Sequence, residues 1–365
     1  MTSKPPVPAI VIGAILSLLA GYVVLEFVTA GIVLVWETIP ENLGGTPWWY
    51  VVLVPLIAAL LVFTIRKYVG DAGHSPMAGI HVSPLTPKEY LGAILAIFAS
   101  LLGGAVLGPE VALVSTGAVI GGLVAKFMKV ADPKKVVGAS AGGAILALFV
   151  NPLLSGSSAL SGPPESVEVD QLLWAVAVAL VVTVVITLAR FAAGFMSKAT
   201  GGGPHLGILI AAALVISISA IIVNTWFDVS YAYIATSGEE MISSLPTLTS
   251  AATVAAIVLF KGITYAVSLG AGFRGGPFFP AMFIGAATGL LFSLIIPDGP
   301  AVVAAITVGL VAAVIATAPM KWAFAIILGV VLGYIFGGWT LVPAAVLGAV
   351  VARVIPRAEK VHQAA

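Results

Sequence analysis

Residues 103–121 read GGAVLGPEVALVSTGAVIG, and residues 271–289 read AGFRGGPFFPAMFIGAATG. Displaced by 168 positions, the two stretches coincide at Gly104/Gly272, Gly108/Gly276, Pro109/Pro277, Gly117/Gly285, Ala118/Ala286 and Gly121/Gly289. The register continues, with one slip, to Asn151-Pro152 and Ala318-Pro319. A self-match at nearly half the chain length means that two halves follow one plan.

Each copy carries the same chemistry. Proline at a first helical position lacks an N–H that would be unsatisfied there and presets φ. The free N–H groups and the positive end of the helix dipole then face whatever lies in front of Gly108-Pro109-Glu110-Val111 and Gly276-Pro277-Phe278-Phe279. The Gly-x-x-x-Gly in each copy, Gly117/Gly121 and Gly285/Gly289, lets a neighbouring helix approach closely. Two such N-termini converging in an apolar wall suit an anion, and they are expected to hold it without a buried Lys or Arg. Inverted repeats whose broken helices meet near the bilayer midplane are a common plan of transporters.

Composition places the wall in a membrane. The 365 residues are 60% hydrophobic and 8% charged, with 40 Gly, 23 Pro and a mean hydropathy of +1.16. Soluble domains carry about 25% charged residues, so a soluble enzyme is excluded, as is a nucleic-acid binder. The absence of cysteine excludes thiolate metal sites, and His81 and His205 have no partners at metal spacing, so neither a metal nor a cofactor is expected. No nucleophile–base arrangement stands out, which argues against an enzyme. A bilayer crossing needs about 20 apolar residues, and about ten to twelve stretches approach that. They lie near 9–36, 48–65, 88–107, 110–128, 136–160, 171–197, 205–227, 248–271, 278–296, 299–317, 319–336 and 340–355. The run from Ala9 is too long for a signal peptide, so a retained helix is expected. The predicted fold is an all-α polytopic membrane protein with many short and broken helices. One membrane domain is expected over 1–365, with halves at about 66–197 and 205–355 and no appended soluble domain.

At this point the residues resemble a known family. Gly-Gly-Ala-Val-Leu-Gly-Pro-Glu-Val-Ala, residues 103–112, resembles the Gly-Arg/Lys-Glu-Gly-Pro segment of CLC chloride channels and proton/chloride exchangers. Gly-Gly-Pro-Phe-Phe-Pro, residues 275–280, resembles the family's Gly-x-Phe-x-Pro segment, and Asn151-Pro152-Leu153 its Asn-Ala-Pro-Leu region. The resemblance runs from about residue 66 to 355. It implies an inverted-repeat CLC-like fold and a homodimer with one anion pathway per subunit. Glu110 would then be the gate, its carboxylate competing with the anion, and Phe278 would flank the pathway.

Gly108, Pro109, Val111, Gly276, Pro277, Phe278 and Phe279 complete the anion-binding set that the resemblance implies, with Gly73, His74, Ser75 and Pro76 as the counterpart of the family's Gly-Ser-Gly-Ile-Pro segment. For the inner tyrosine, Tyr334 is the candidate, one turn before Gly338 and with Trp339 adjacent to that glycine. Two departures matter. The first segment lacks the family's basic residue and second Gly-Pro. The inner glutamate of proton-coupled members, about eleven residues beyond Pro152, finds only Gly162 or Pro163, with Glu165 nearby in a loop.

Glu110 is the acid singled out by the residues themselves, because an ionisable group inside a membrane segment is costly and is retained for use. Glu26 is expected to be structural or interfacial, and Glu239 and Glu240 to lie in a solvated loop at 228–247. Arg190, Lys261, Arg274 and Lys321 are expected to snorkel to the interface, although Arg274 could add positive potential to a pathway mouth. The expected function is transport of a small anion, most favourably chloride, across the cell membrane, with passive or weakly coupled movement preferred. Proton/chloride exchange, a fluoride-selective variant and a cation-coupled solute symporter are the alternatives.

Overall fold

The computed structural model describes residues 7–70, 77, 82, 85–155, 160, 169–201, 203–318 and 320–355, with the side chains of 151–155 and 169–171 left aside. Twelve α-helices follow in order: α1 Val7–Val33, α2 Ile39–Asn42, α3 Trp48–Thr64, α4 Pro87–Leu102, α5 Glu110–Phe127, α6 Lys134–Ser155, α7 Val169–Thr200, α8 Leu206–Phe227, α9 Ala251–Gly270, α10 Phe278–Ile295, α11 Val302–Thr317 and α12 Trp322–Val354. Among the described residues there is no β-strand, only an isolated antiparallel pairing of Gly108 with Gly276. Eight of these segments are long and apolar enough to cross a bilayer, which makes the chain a multi-pass integral membrane protein.

Local chemistry sets the helix ends. Thr86 and Glu89 form a reciprocal capping box at the start of α4, and Ser250 caps α9 by accepting the N–H of Thr253 at 3.2 Å. Gly338, at φ +69°, breaks α12 in the middle, so the two apolar runs expected at 319–336 and 340–355 are two rods joined at one residue. Pro109 and Pro277 stand at the N-cap rather than the first helical position, one residue earlier than expected.

The packing is arranged in layers. α11 is buried from Ala304 to Thr317 and α10 from Phe279 to Leu290, whereas α1 turns Val11, Ile15, Leu19, Val23 and Phe27 outward. A helix apolar all round is either a core helix or a membrane span, and both cases occur here. The glycines of the two matched stretches mediate the closest contacts. Cβ positions on Gly117 and Gly121 run into the backbone of Ala141 and Val137 on α6, and those on Gly285 and Gly289 into Gly309 and Ala305 on α11. Ala141 and Gly309, like Val137 and Ala305, are again 168 positions apart.

The candidate anion site at two helix N-termini

The loops that lead into α5 and α10 touch each other. Gly108 N–H donates to the Gly276 carbonyl at 2.7 Å, and Gly276 N–H donates to the Gly108 carbonyl at 2.6 Å. A second exchange braces the loops: Arg274 N–H donates to Ser100 Oγ and Val106 N–H to Ser268 Oγ, each at 2.9 Å. Both the donors and the acceptors of that exchange are related by the same displacement of 168. Gly104 and Gly272 sit at φ +82° and +101°, a region open to glycine and strained for other residues.

Glu110 is the first residue of α5 and is 3% exposed. Its Oε1 accepts the N–H of Phe279 at 2.8 Å, and the N–H groups of Phe278 and of Glu110 itself also serve the carboxylate. Oε2 has no hydrogen-bond partner among the described residues. Cβ atoms built on Gly108 and Gly276 would fall on this carboxylate, so the two glycines make the room it occupies. A cradle of backbone N–H groups at two helix N-termini holds a negative oxygen by dipole and hydrogen bond, without a formal cation in contact. What it holds here is the side chain of its own helix.

Formal cations nevertheless lie nearby, against the expectation. Arg190 is 8% exposed, Arg274 5% and Lys261 0%, and none snorkels; of the four, only Lys321 is exposed. The Nζ of Lys261 donates to the carbonyls of Ala235 and Thr236 at 3.1 and 3.0 Å and lies 5.0 Å from the centre of the Phe283 ring. Arg66, also buried, donates from Nη1 to the Gly272 carbonyl at 2.8 Å. For Lys261 and Arg66, backbone carbonyls replace water as the acceptors.

The predicted site residues are therefore partly gathered. Gly108, Pro109, Glu110, Val111, Gly276, Pro277, Phe278 and Phe279 meet at the junction. Gly73, His74, Ser75 and Pro76 lie outside the described residues. Tyr334 is half-buried on α12 with its ring 4.8 Å from that of Trp339. The tyrosine that reaches the junction is Tyr265 on α9, fully buried, whose hydroxyl donates to the Pro277 carbonyl at 2.8 Å. The expectation, placed beside Gly338, did not include it. The available signal was the spacing of Lys261, Thr264, Tyr265 and Ser268, a polar stripe on one face of an apolar helix.

A cavity of about 320 Å³ opens beside the junction, lined by Glu26, Glu37, Leu107, Pro109, Thr236 and the turn Gly238–Met241. Glu239 is half-buried there, not solvated as expected. Burial pushes its carboxyl up to about 8, and the charges of Glu110 and Glu240 add to the effect. Glu240 is exposed as expected, but partial desolvation of its carboxyl at the cavity wall, with Glu37 as a further contributor, raises it too. Glu26, expected to be structural or interfacial, is exposed and borders the same cavity.

Broken helices in a multi-pass bundle, with paired N-termini around one buried carboxylate, define an ion-transport protein of the CLC architecture. The family model described as voltage gated chloride channel matches residues 143–357. The chain belongs to that family, and CLC-family anion transport is its class of activity. Among its relatives, the protein named "Putative ion-transport protein YfeO" of Escherichia coli O17:K52:H18 is 26% identical over 339 residues, covering 81% of this chain and 80% of that protein. Its counterpart in Escherichia fergusonii is 25% identical over the same coverage.

Among solved structures, a slow cyanobacterial Cl⁻/H⁺ antiporter superposes with a TM-score of 0.75 at 17% identity, covering 96% of this chain and 94% of its own. A CLC-type fluoride/proton antiporter gives a TM-score of 0.68 at 13% identity, covering 97% of each chain. These two likenesses carry the fold alone.

Proposed function

We propose that the chain conducts small monovalent anions, chloride foremost, through the junction of α5 and α10, and that Glu110 is its gate. One observation carries the reading: a carboxylate is held by backbone N–H groups at two helix N-termini, donors that would serve a free anion equally well. Protonation removes its charge, and a mobile anion can replace it on the same donors. Gating then follows from competition for one set of N–H groups. The working unit is a homodimer in the plasma membrane, as the CLC resemblance implies, built from two halves at about 66–197 and 205–355. The reciprocal bonds at one displacement support that division.

Weak or absent proton coupling is the preferred mode, because no carboxylate stands at the expected inner position. Exchange of anion for proton is a second reading, favoured by the acidic cavity beside Pro109. The test uses the full chain in liposomes loaded with chloride, with chloride and proton fluxes recorded together, with and without a sodium gradient. Chloride efflux independent of sodium is expected. In Glu110→Gln, which mimics the protonated gate, efflux at neutral pH should reach the wild-type level at acid pH and lose its pH dependence. Sodium dependence without chloride flux would overturn the reading in favour of a symporter, and an unchanged pH profile would remove Glu110 from the gate. Stoichiometric proton movement would select exchange.

A further inference from the structure

Residues 126–135 carry the chain from α5 into α6 and read KFMKVADPKK. Lys126, Lys129, Lys134 and Lys135 are all exposed. The one acid among them is Asp132, whose Oδ1 accepts the N–H of Lys134 at 3.1 Å. The membrane-crossing segment of α5 ends at Phe127, and that ring is 89% exposed, more than any other large apolar side chain among the described residues. A basic band therefore begins where the apolar span stops. The fold does not call for these charges. At the displacement of 168 the four lysines correspond to Leu294, Pro297, Val302 and Val303, and the α10–α11 turn holds no base. In an inverted repeat the two turns lie on opposite faces of the membrane. The lysine turn packs beside the start of α1, where Ala9 meets Ala125 and Val136. The acid-lined cavity opens at the other end of that helix, which is about 40 Å long. Lys134 and Lys135 also oppose the dipole of α6, because they hold its first two positions, where acids are favoured and none stands in the first turn. A negative partner in front of that turn offsets the conflict.

We propose that the α5–α6 turn docks the headgroups of anionic phospholipids, the four lysines meeting the phosphates while Phe127 and Leu123 lie among the acyl chains. Four bases just past a membrane span fit the negative headgroups of the cytoplasmic leaflet, and their excess on this face over the opposite one orients the turn toward the cytoplasm. Lysine suits the task, since its apolar stem can run along the chains while the ammonium stays at headgroup level. A phosphate held there neutralises the charge at the start of α6, so the bound lipid stabilises the α5–α6 pair. Attraction between exposed charges is screened by salt, so the preference for anionic lipid falls as ionic strength rises. Lysines that served only to orient the chain during insertion would leave the folded protein indifferent to the headgroup.

The experiment follows the thermal midpoint of the full-length protein in a neutral detergent as phosphatidylglycerol, phosphatidylcholine or inorganic phosphate is added. Phosphatidylglycerol should raise the midpoint at lower concentration than phosphatidylcholine, and about 0.5 M salt should narrow the gap. Each lysine near an anionic surface is worth about fivefold in binding, so Lys134→Gln/Lys135→Gln should raise half-saturating phosphatidylglycerol roughly 25-fold and leave phosphatidylcholine unchanged. Lys126→Gln/Lys129→Asn should do the same, asparagine being suited to the φ of +53° at Lys129. Lys134→Arg/Lys135→Arg keeps the charge and should keep the preference. Equal response of the wild type to the two lipids would overturn the proposal, as would an undiminished preference for phosphatidylglycerol in the charge-removing pairs. Should one of those pairs fail to fold, the other decides. Inorganic phosphate that matched phosphatidylglycerol at equal concentration would assign the surface to a soluble anion and overturn the lipid docking.

Discussion

A methyl group on Gly276 would fall on Oε2 of Glu110, and one on Gly108 would crowd both carboxylate oxygens. Gly276→Ala therefore forces the carboxylate off the N–H groups of Phe278 and Phe279 while leaving those donors in place. Anion efflux in this variant should lose its pH dependence, as in Glu110→Gln, and run at a lower rate because the methyl remains in the pathway. Efflux from liposomes at acid and alkaline pH checks this; a wild-type pH profile would mean that the carboxylate does not gate from this position. Glu110 was legible in the sequence because a lone acid follows Gly-Pro in an apolar run. Tyr265 was not, because the expectation followed chain position near Gly338 instead of the polar stripe along α9.

The helix pairs α5/α6 and α10/α11 show why the repeat could be read from glycine spacing. Gly285 and Gly289 meet the backbone of Gly309 and Ala305, where a side chain has no room, and Gly117 and Gly121 do the same against Ala141 and Val137. Close backbone contact restricts these positions to the smallest residues, which is what leaves a mark in the sequence. The break at Gly338 was equally visible as a gap between two apolar runs. Gly285→Ala should destabilise the protein by about 1–3 kcal/mol through overpacking. Gly262→Ala, at a helical glycine of α9 whose Cβ would meet nothing within 4 Å, should be neutral or stabilising by up to about 1 kcal/mol. Thermal unfolding in detergent distinguishes the two, and equal midpoints would show that the α10–α11 contact yields without cost.

Across the molecule, the buried charged residues among those described are Arg66, Arg190, Lys261 and Arg274 against the single acid Glu110. Three of the four bases are arginines, which keep their charge when buried, and an excess of positive charge around a junction of helix N-termini favours anions there. The sequence concealed Arg190 because α7 is apolar on nearly every face around it, and hydropathy then gives no phase to tell an inward side chain from a snorkelling one. The acids gather elsewhere, along the cavity where Glu26, Glu37, Glu239 and Glu240 lie beside Pro109. Glu239 has its carboxyl raised to about 8 by burial, then by Glu110 and Glu240, from an ordinary value of 4.5. Between those two pH values the folded protein holds a proton that the unfolded chain has released. Stability should therefore fall as pH rises through this window, the slope being set by the difference in bound protons. Below the ordinary value both states are protonated and the effect vanishes. Glu239→Gln removes the ionisation, so its thermal midpoint should match that of the wild type near pH 4.5, exceed it near pH 8 and vary less in between. Parallel pH profiles for the two proteins would mean that Glu239 titrates as an ordinary surface carboxylate and that the cavity does not desolvate it.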